Sequence, residues 1–336
     1  MYDAIALGSN TIDAFVYTDK NESISIKTID SEETYISYPL GSKLLINDLD
    51  FYTGGGGTNA SVCIARMGLK VAYIGKVGND SNGMMVLEEL KNENIDFLGE
   101  ISSLPEEKTG YSVVLDSIEH NRTILSFRGA NDTLDYLKIN QEKLKTKWFY
   151  LSTMMGKSFK ALEYAAAYAD KNKIRVIFNP NNSICEKGVD YLENVLKNTE
   201  IFILNREEAS LLTGKIDPVK NLTALKKFGP KIVIITDGKK PINCIDSDNN
   251  HYVVHPLNIK VLEVTGAGDS FASTFLSGLI KTEDVELSLK LAIVNSHSVL
   301  KYKGAKNKLL TYDVAAKLAA ESKIRIEKHK IPASFT

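Results

Sequence analysis

Cysteine is scarce in this chain of 336 residues: Cys63, Cys185 and Cys244 stand far apart and are odd in number. That excludes a disulfide framework, and no C-x-x-C pair offers metal spacing, so a reducing cytoplasm is the expected setting. The five histidines, His120, His251, His255, His297 and His329, show no H-E-x-x-H or other paired spacing, so structural or surface roles are expected of each. Net charge is also lacking: 41 Lys and Arg against 42 Asp and Glu leave -1. Nothing in that balance points to nucleic acid or an anionic membrane as the main partner. No run of about 18 apolar residues occurs, so no membrane-spanning helix is expected. The opening MYDAIALGSNTIDAF has no basic n-region, so no signal peptide is expected either. The Lys-rich end, KIRIEKHKIPASFT, reads as a solvated tail.

What is present is enough apolar residue for a large core, 43% of the chain. Short β-branched runs recur at Ala4–Leu7, Val71–Val77, Phe149–Leu151, Ile174–Phe178, Ile201–Leu204 and Ile232–Ile235. Such near-continuous runs suit strands buried on both faces of a parallel sheet. Between them, SFKALEYAAAYADKNK and NREEASLLTGK carry apolar positions three and four apart, the period of a helix. The alternation predicts an α/β fold with a doubly wound, mostly parallel sheet and helices on both faces. Residues 14–52 and 109–128 break the rhythm with alternating, helix-free segments, the second a hairpin with its polar turn around Ser117–Asn121. They are expected to form one small antiparallel sheet, a lid over the crevice of a core made of residues 1–13, 53–108 and 129–336.

Two glycine motifs carry the chemistry. FYTGGGGTNAS, residues 51–61, leads into SVCIARMG, a helix expected to stop at Gly68, with Thr58 or Asn59 capping its first turn. A Walker loop fails, because the spacing from Gly54 lands on Asn59 with no lysine after it. Gly55, Gly57 and Ala60 satisfy G-x-G-x-x-A with Asp80 about 20 residues on, but the preceding LLINDLDFYT looks like lid rather than a first buried strand. A flexible turn is the plainer alternative. Against it, glycines pinned to a helix start allow close backbone approach and expose N–H groups.

The second motif, EVTGAGDSF at 263–271, leaves the backbone bare at Gly266, Ala267 and Gly268 before a helix striped by Phe271, Ala272, Phe275, Leu276, Leu279 and Ile280. First-turn N–H groups backed by the helix dipole suit a phosphate. Asp269 in that turn is either a cap or a base that takes a proton from a hydroxyl while the N–H groups hold a transferring phosphoryl group.

GGGGTNASVCIARMG with VTGAGDSFAS resembles the two signature regions of the ribokinase, or PfkB carbohydrate kinase, family, in order over nearly the whole chain. GSNTID resembles that family's first strand and sugar-binding Asp13; TGYSVVL with NRTILSFRGAN resembles its lid hairpin; LNREEASLLTG resembles its N-x-x-E segment, with Asn205 and Glu208; IITDG brings in Thr236 and Gly238 near the nucleotide phosphates. The resemblance implies an ATP-dependent kinase acting on a hydroxymethyl group of a sugar, Asp269 being the base and Gly266, Ala267 and Gly268 the anion hole. It implies that Asp13, Asn59 and the loop Gly55, Gly56 and Gly57 hold the acceptor. Thr265, Gly268 and Asn295 would lie along ATP, and Glu208 with Asn205 would organise Mg²⁺ through water.

The sequence departs from the family in places. Glu263 stands where an Asp is usual, at a position associated with a monovalent cation, which leaves K⁺ activation open. The usual D-P-N-x-R reads Asn179-Pro180-Asn181-Asn182-Ser183, losing an arginine fork suited to acidic sugars and sugar phosphates. Arg128 and Lys43 are the candidates to compensate. A nucleoside kinase of the same fold is the alternative, with lid aromatics Tyr38, Tyr52, Tyr111 and Phe127 stacking on a base, as is a silent sugar-binding protein. Exposed lid edges also make a homodimer through the lid an expectation.

Overall fold

The computed structural model describes residues 1–18, 22–27, 32–116 and 122–332. Its main sheet has ten strands. From one edge, the Asp96–Phe97, Val71–Ile74, Tyr2–Leu7, Thr146–Ser152, Arg175–Asn179, Ile201–Asn205 and Ile232–Asp237 strands run parallel. Lys240–Ile245, Asn250–His255 and Arg325–Lys330 then extend it antiparallel. Alternation along the first strand shows why the runs are apolar throughout: Ala4 and Ala6 enter one core layer, Ile5 and Leu7 the other. Both faces are covered by helices over Ala4–Leu7, so those four positions are apolar, while Asp3 near the strand's outer end pairs with Lys147.

The small residues face the helices Gly56–Arg66 and Ala267–Thr282, which pack together through Cys63, Ser270 and Thr274. The apolar stripe expected on the second helix is buried at Phe271, Ala272, Phe275, Leu276 and Leu279, with Ile280 partly buried against the same layer. Each of these large side chains contributes about 1.5–3 kcal/mol by leaving water.

Three expectations change. The 71–77 run is two strands, because the chain leaves the main sheet at Gly75 and Lys76–Val77 pairs with Glu100–Ile101. The Lys-rich end is no free tail: Arg325–Lys330 closes the sheet edge, anchored by buried Ile324 and Ile331, with its charges outward. The lid sheet, in the order Arg122–Phe127, Tyr111–Asp116, Thr11–Tyr17, Asp48–Gly54, is mixed rather than antiparallel. Its two central strands pair in parallel, Tyr111 opposite Ile12, because both leave the core side by side. Glu22–Lys27 and Glu32–Ser37 form a separate two-stranded ribbon, and the turn expected around Ser117–Asn121 lies outside the described residues.

The lid joins the core through a buried asparagine pair. Asn10 N donates to Asn131 Oδ1 at 2.9 Å, Asn131 Nδ2 returns a bond to Asn10 O at 2.7 Å, and Asn10 Nδ2 reaches Lys76 O at 2.9 Å. These bonds set where the Thr11–Tyr17 strand starts, and therefore where Asp13 points.

Candidate active site

Asp13 lies in a lid strand, 8% exposed, with Oδ1 accepting from Thr11 Oγ1 at 2.9 Å. Gly54 faces it so closely that a Cβ there would stand 2.0 Å from Asp13 Oδ2. The next glycine takes φ +95 against Asn10 and forms the N-terminal boundary of the Gly56–Arg66 helix. The glycine run therefore spans the last residue of the Asp48–Gly54 strand, the N-cap and the first turn of the helix, with no separate loop between them. A Cβ on Gly56 would stand 2.2 Å from Ser152 Oγ and 3.3 Å from Asp269 Oδ1, which places this backbone at the edge of the cleft. Neither Thr58 nor Asn59 caps the helix: Thr58 Oγ1 donates back to Gly54 O at 2.6 Å, and Asn59 Nδ2 donates to Asp269 Oδ2 at 2.8 Å.

That last bond joins the two glycine motifs across 210 residues. Asp269 is in the first turn of Ala267–Thr282, behind Gly266 at φ +77, and it does not cap that helix. The N–H groups of Gly268 and Asp269 make no hydrogen bond among the described residues, while Ala267 N donates to Val264 O at 3.3 Å. Desolvation pushes the Asp269 carboxyl above the usual aspartate range although the cleft leaves it partly exposed; the Asn59 amide and Lys306 pull it back down, and Asp13 adds to the rise. A carboxylate with one oxygen held and its basicity raised beside bare amides is equipped to accept a proton next to a bound anion.

Two connected cavities open from this point. The smaller, of roughly 160 Å³, is lined by Asn179, Asn205, Glu208, Thr236, Gly266 and Asp269 among others. Asn205 and Glu208 form a capping box: Glu208 N donates to Asn205 Oδ1 at 2.9 Å and Asn205 N to Glu208 Oε2 at 2.7 Å. Burial pushes the Glu208 carboxyl up to about 7, with Glu207 and Asp269 adding to the rise. The larger cavity, of roughly 510 Å³, is an apolar slot between Gly238, Leu257, Val261, Ile293 and Leu300, with Ser296 and His297 among its few polar groups. An apolar slot leading to bare helix-start amides fits a nucleobase followed by phosphates.

Residues 18–311 match the pfkB family carbohydrate kinase. The chain belongs to that family. It is a sugar kinase, a phosphotransferase with an alcohol group as acceptor. A 5-dehydro-2-deoxygluconokinase of Clostridium perfringens is 32% identical over 295 residues, covering 80% of this chain and 85% of that protein. The structure of Arabidopsis thaliana ribokinase complexed with ribose and ATP superposes with a TM-score of 0.78 at 19% identity, over 96% of this chain and 99% of that one. A Methanocaldococcus jannaschii nucleoside kinase superposes at 0.74 with 20% identity, over 95% and 99%. At those identities the two structures speak for the fold alone.

Measured against this pfkB site, the expected residues divide. Asp13, Gly56, Asn59, Gly266, Gly268 and Asp269 converge, and Thr236 with Gly268 lines both cavities. Gly57 instead packs on Gly8 and Tyr73 inside the core. Asn295 is a correction. It is fully buried between helices, donating to Thr274 Oγ1 at 2.7 Å and accepting from Leu310 N at 2.8 Å, so it faces away from the slot that its neighbours Ser296 and His297 line. Thr265 turns its hydroxyl to Glu263 Oε1 at 2.8 Å, and the same oxygen accepts from the amides of Val264 and Thr265. Tyr111 packs on the core, and Tyr52 sits edge-on to Phe15 at 5.5 Å. Arg128 Nε donates to Asp132 Oδ1 at 2.6 Å, while its NH2 nitrogen is buried with no hydrogen-bond partner among the described residues. Asp80, which the dinucleotide reading needs free, caps a helix through Gly83 N at 2.8 Å. Ser152, His297 and the wall Pro256–Val261 were not expected; the apolar alternation in HPLNIKVLEV was the one signal for that wall.

Proposed function

We propose that this sugar kinase moves the γ-phosphoryl group of ATP to a hydroxymethyl group of its acceptor, with Asp269 as general base. The observation that carries the reading is the 2.8 Å bond from Asn59 to Asp269, which puts the acceptor glycines and the bare amides at one carboxylate. Oδ2 is held by Asn59, so Oδ1, on the Gly56 side, takes the proton of the attacking hydroxyl. Asp13, Gly55, Gly56 and Asn59 form the acceptor side, and Gly57 supports it from the core. The Gly268 and Asp269 amides stabilise charge on the transferring group, Thr236 and Gly238 follow the phosphates, and the apolar slot takes the adenine.

Mg²⁺ supplies charge neutralisation on the phosphates. No group of three or more His, Cys, Asp or Glu among the described residues could cage a metal. Asn205 and Glu208 are already bonded in their cap, so they fit a cation held through its water shell, which Mg²⁺ keeps readily. Glu263 serves to brace its own turn, and dependence on K⁺ is to be read by exchanging K⁺ for Na⁺ in the assay.

For the acceptor, the name of the Clostridium relative directs attention to a deoxy-keto sugar acid. The buried, unpartnered Arg128 nitrogen supports that class, offsetting the arginine absent from Asn179–Ser183. Of the aromatic residues expected to stack on a nucleoside base, Tyr52 and Tyr111 are engaged in packing and give the nucleoside reading no support, while Phe127 is exposed on an outer lid strand. The lid's outer strands expose Leu49, Phe51, Leu125 and Phe127, and we propose a second copy of this chain as their cover. The three cysteines are free and buried, in keeping with a cytoplasmic setting, and no helix among the described residues is long and apolar enough to cross a membrane. An ADP-release screen with ATP and Mg²⁺ over pentoses, hexoses, 5-dehydro-2-deoxygluconate and nucleosides tests the reading. Turnover of nucleosides alone overturns the acceptor class, and no turnover of any overturns the kinase assignment of the site.

A further inference from the structure

Lys306 belongs to KYKGAKNK, a stretch whose composition marks it as a solvated surface, yet its side chain is only 7% exposed. Nζ donates to Glu89 Oε2 at 2.5 Å. The other oxygen of that carboxylate accepts from Thr53 Oγ1 at 2.5 Å. Thr53 precedes Gly54 in the lid strand that packs on Asp13. On the other side, Ala305 lies against the phosphate-site turn: a Cβ on Gly266 would stand 2.5 Å from the Ala305 Cβ. Arg66, itself paired to Glu93 at 2.6 Å, fixes the segment by donating from NH1 to Lys306 O at 2.9 Å.

A continuous path of short contacts thus runs from the acceptor strand, through Glu89 and Lys306, to the turn that carries the bare amides. Its lysine is expensive to bury, since the ammonium loses several kcal/mol of hydration while Glu89 stays 24% exposed, and an apolar residue of equal volume would hold the segment without that loss. Stability alone therefore does not account for it. The Lys306 ammonium also opposes the upward push of Asp13 on Asp269, so its charge is felt at the reacting carboxylate.

We propose that Lys306 is a positioning residue for phosphoryl transfer: through Glu89 and Thr53 it ties the acceptor strand to the Gly266 turn, so that nucleotide held at the turn orders the acceptor side of the cleft. The inference rests on the nucleotide reading of that turn. Coupling of this kind is reciprocal and ranges from about 5- to 150-fold in affinity.

Amide hydrogen exchange with Mg²⁺ and the non-hydrolysable analogue AMP-PCP tests it without an acceptor. In the wild-type protein the analogue should slow exchange in residues 264–271 and also, by at least about fivefold, in residues 50–58. Lys306→Met should keep the first protection and lose the second, and Thr53→Val, which cuts the path while leaving the ion pair, should do the same. If Lys306→Met does not fold, Lys306→Met with Glu89→Gln removes both charges and serves in its place. A merely structural lysine would speed exchange without ligand and leave the ligand-dependent protection of 50–58 intact, which overturns the proposal. Wild-type protection confined to 264–271 overturns it as well. Protection of neither segment overturns the nucleotide reading, and the coupling with it.

Discussion

Gly56→Ala adds one carbon where two different demands meet, and its consequences separate a pocket wall from a mere turn. The new Cβ would stand 2.2 Å from Ser152 Oγ and 3.3 Å from Asp269 Oδ1. Gly56 opens a helix with no positive φ, so alanine itself favours the fold by up to about 0.5–1 kcal/mol. Against that, forcing a carbon into a filled site costs about 1–3 kcal/mol. The net loss of stability is therefore about 0–2.5 kcal/mol, a few degrees in Tm for a chain of this size. Adding Ser152→Ala removes the 2.2 Å contact and leaves the two 3.3 Å approaches, to the Cβ of residue 152 and to Asp269 Oδ1, so most of the stability should return.

The contact toward Asp269 remains in the double variant, on the side where the acceptor hydroxyl must lie. If that crowding costs 1–3 kcal/mol, acceptor KM rises by about 5- to 150-fold, at one factor of ten per 1.4 kcal/mol. Binding of nucleotide, on the far side of the carboxylate, should change less than about twofold. Thermal melts give the first quantity; acceptor titration at saturating ATP and calorimetry with AMP-PCP give the other two. Equal weakening of both ligands, or a KM that recovers together with stability in the double variant, would refute the assignment of this glycine to the acceptor pocket.

Asp269→Asn should lower kcat by at least about 10²-fold with an unchanged circular dichroism spectrum, and near-normal turnover would remove Asp269 from the mechanism. Because the Asp269 pKa is raised and the base acts when deprotonated, kcat/KM should fall with decreasing pH already above the ordinary aspartate range. Asn59→Ala deletes a bond that lowers this pKa, so the acid limb should move to higher pH; a limb that stays in place assigns it to another group. Glu208→Gln can still cap its helix, so Tm should hold while the Mg²⁺ concentration for half-maximal rate rises, and an unaltered Mg²⁺ dependence would free Glu208 of any metal role. Phe127→Glu on the exposed lid face should convert a dimer to a monomer in sedimentation; a wild-type monomer would dismiss lid pairing.

Local chemistry was legible along the chain. Buried strands showed as unbroken β-branched runs because a strand covered on both faces admits nothing else. Both glycine motifs showed because close backbone approach removes side chains whatever the surroundings. The Phe271–Leu279 stripe obeys the helical period and does not depend on distant residues.

What needed the tertiary structure was the direction in which side chains point and which distant groups they meet. Asn59 looked like a cap and is instead the partner of Asp269, since the packing of two helices brings that carboxylate within reach. Asn295 and Ser296 are adjacent in sequence, but the helix turns one into the core and the other into the slot. Lys306, in a run of lysines, is buried because the fold offers it Glu89, and composition holds no trace of that pairing. The C-terminal strand formed because an open sheet edge needs hydrogen bonds that a charged segment with two apolar anchors can supply. The sequence by itself determined the elements, the bare backbone and the reactive groups, all governed by contacts within a turn or two. Which of those groups share one cleft was decided only by packing, because burial and charge pairing are properties of neighbours far apart in the chain.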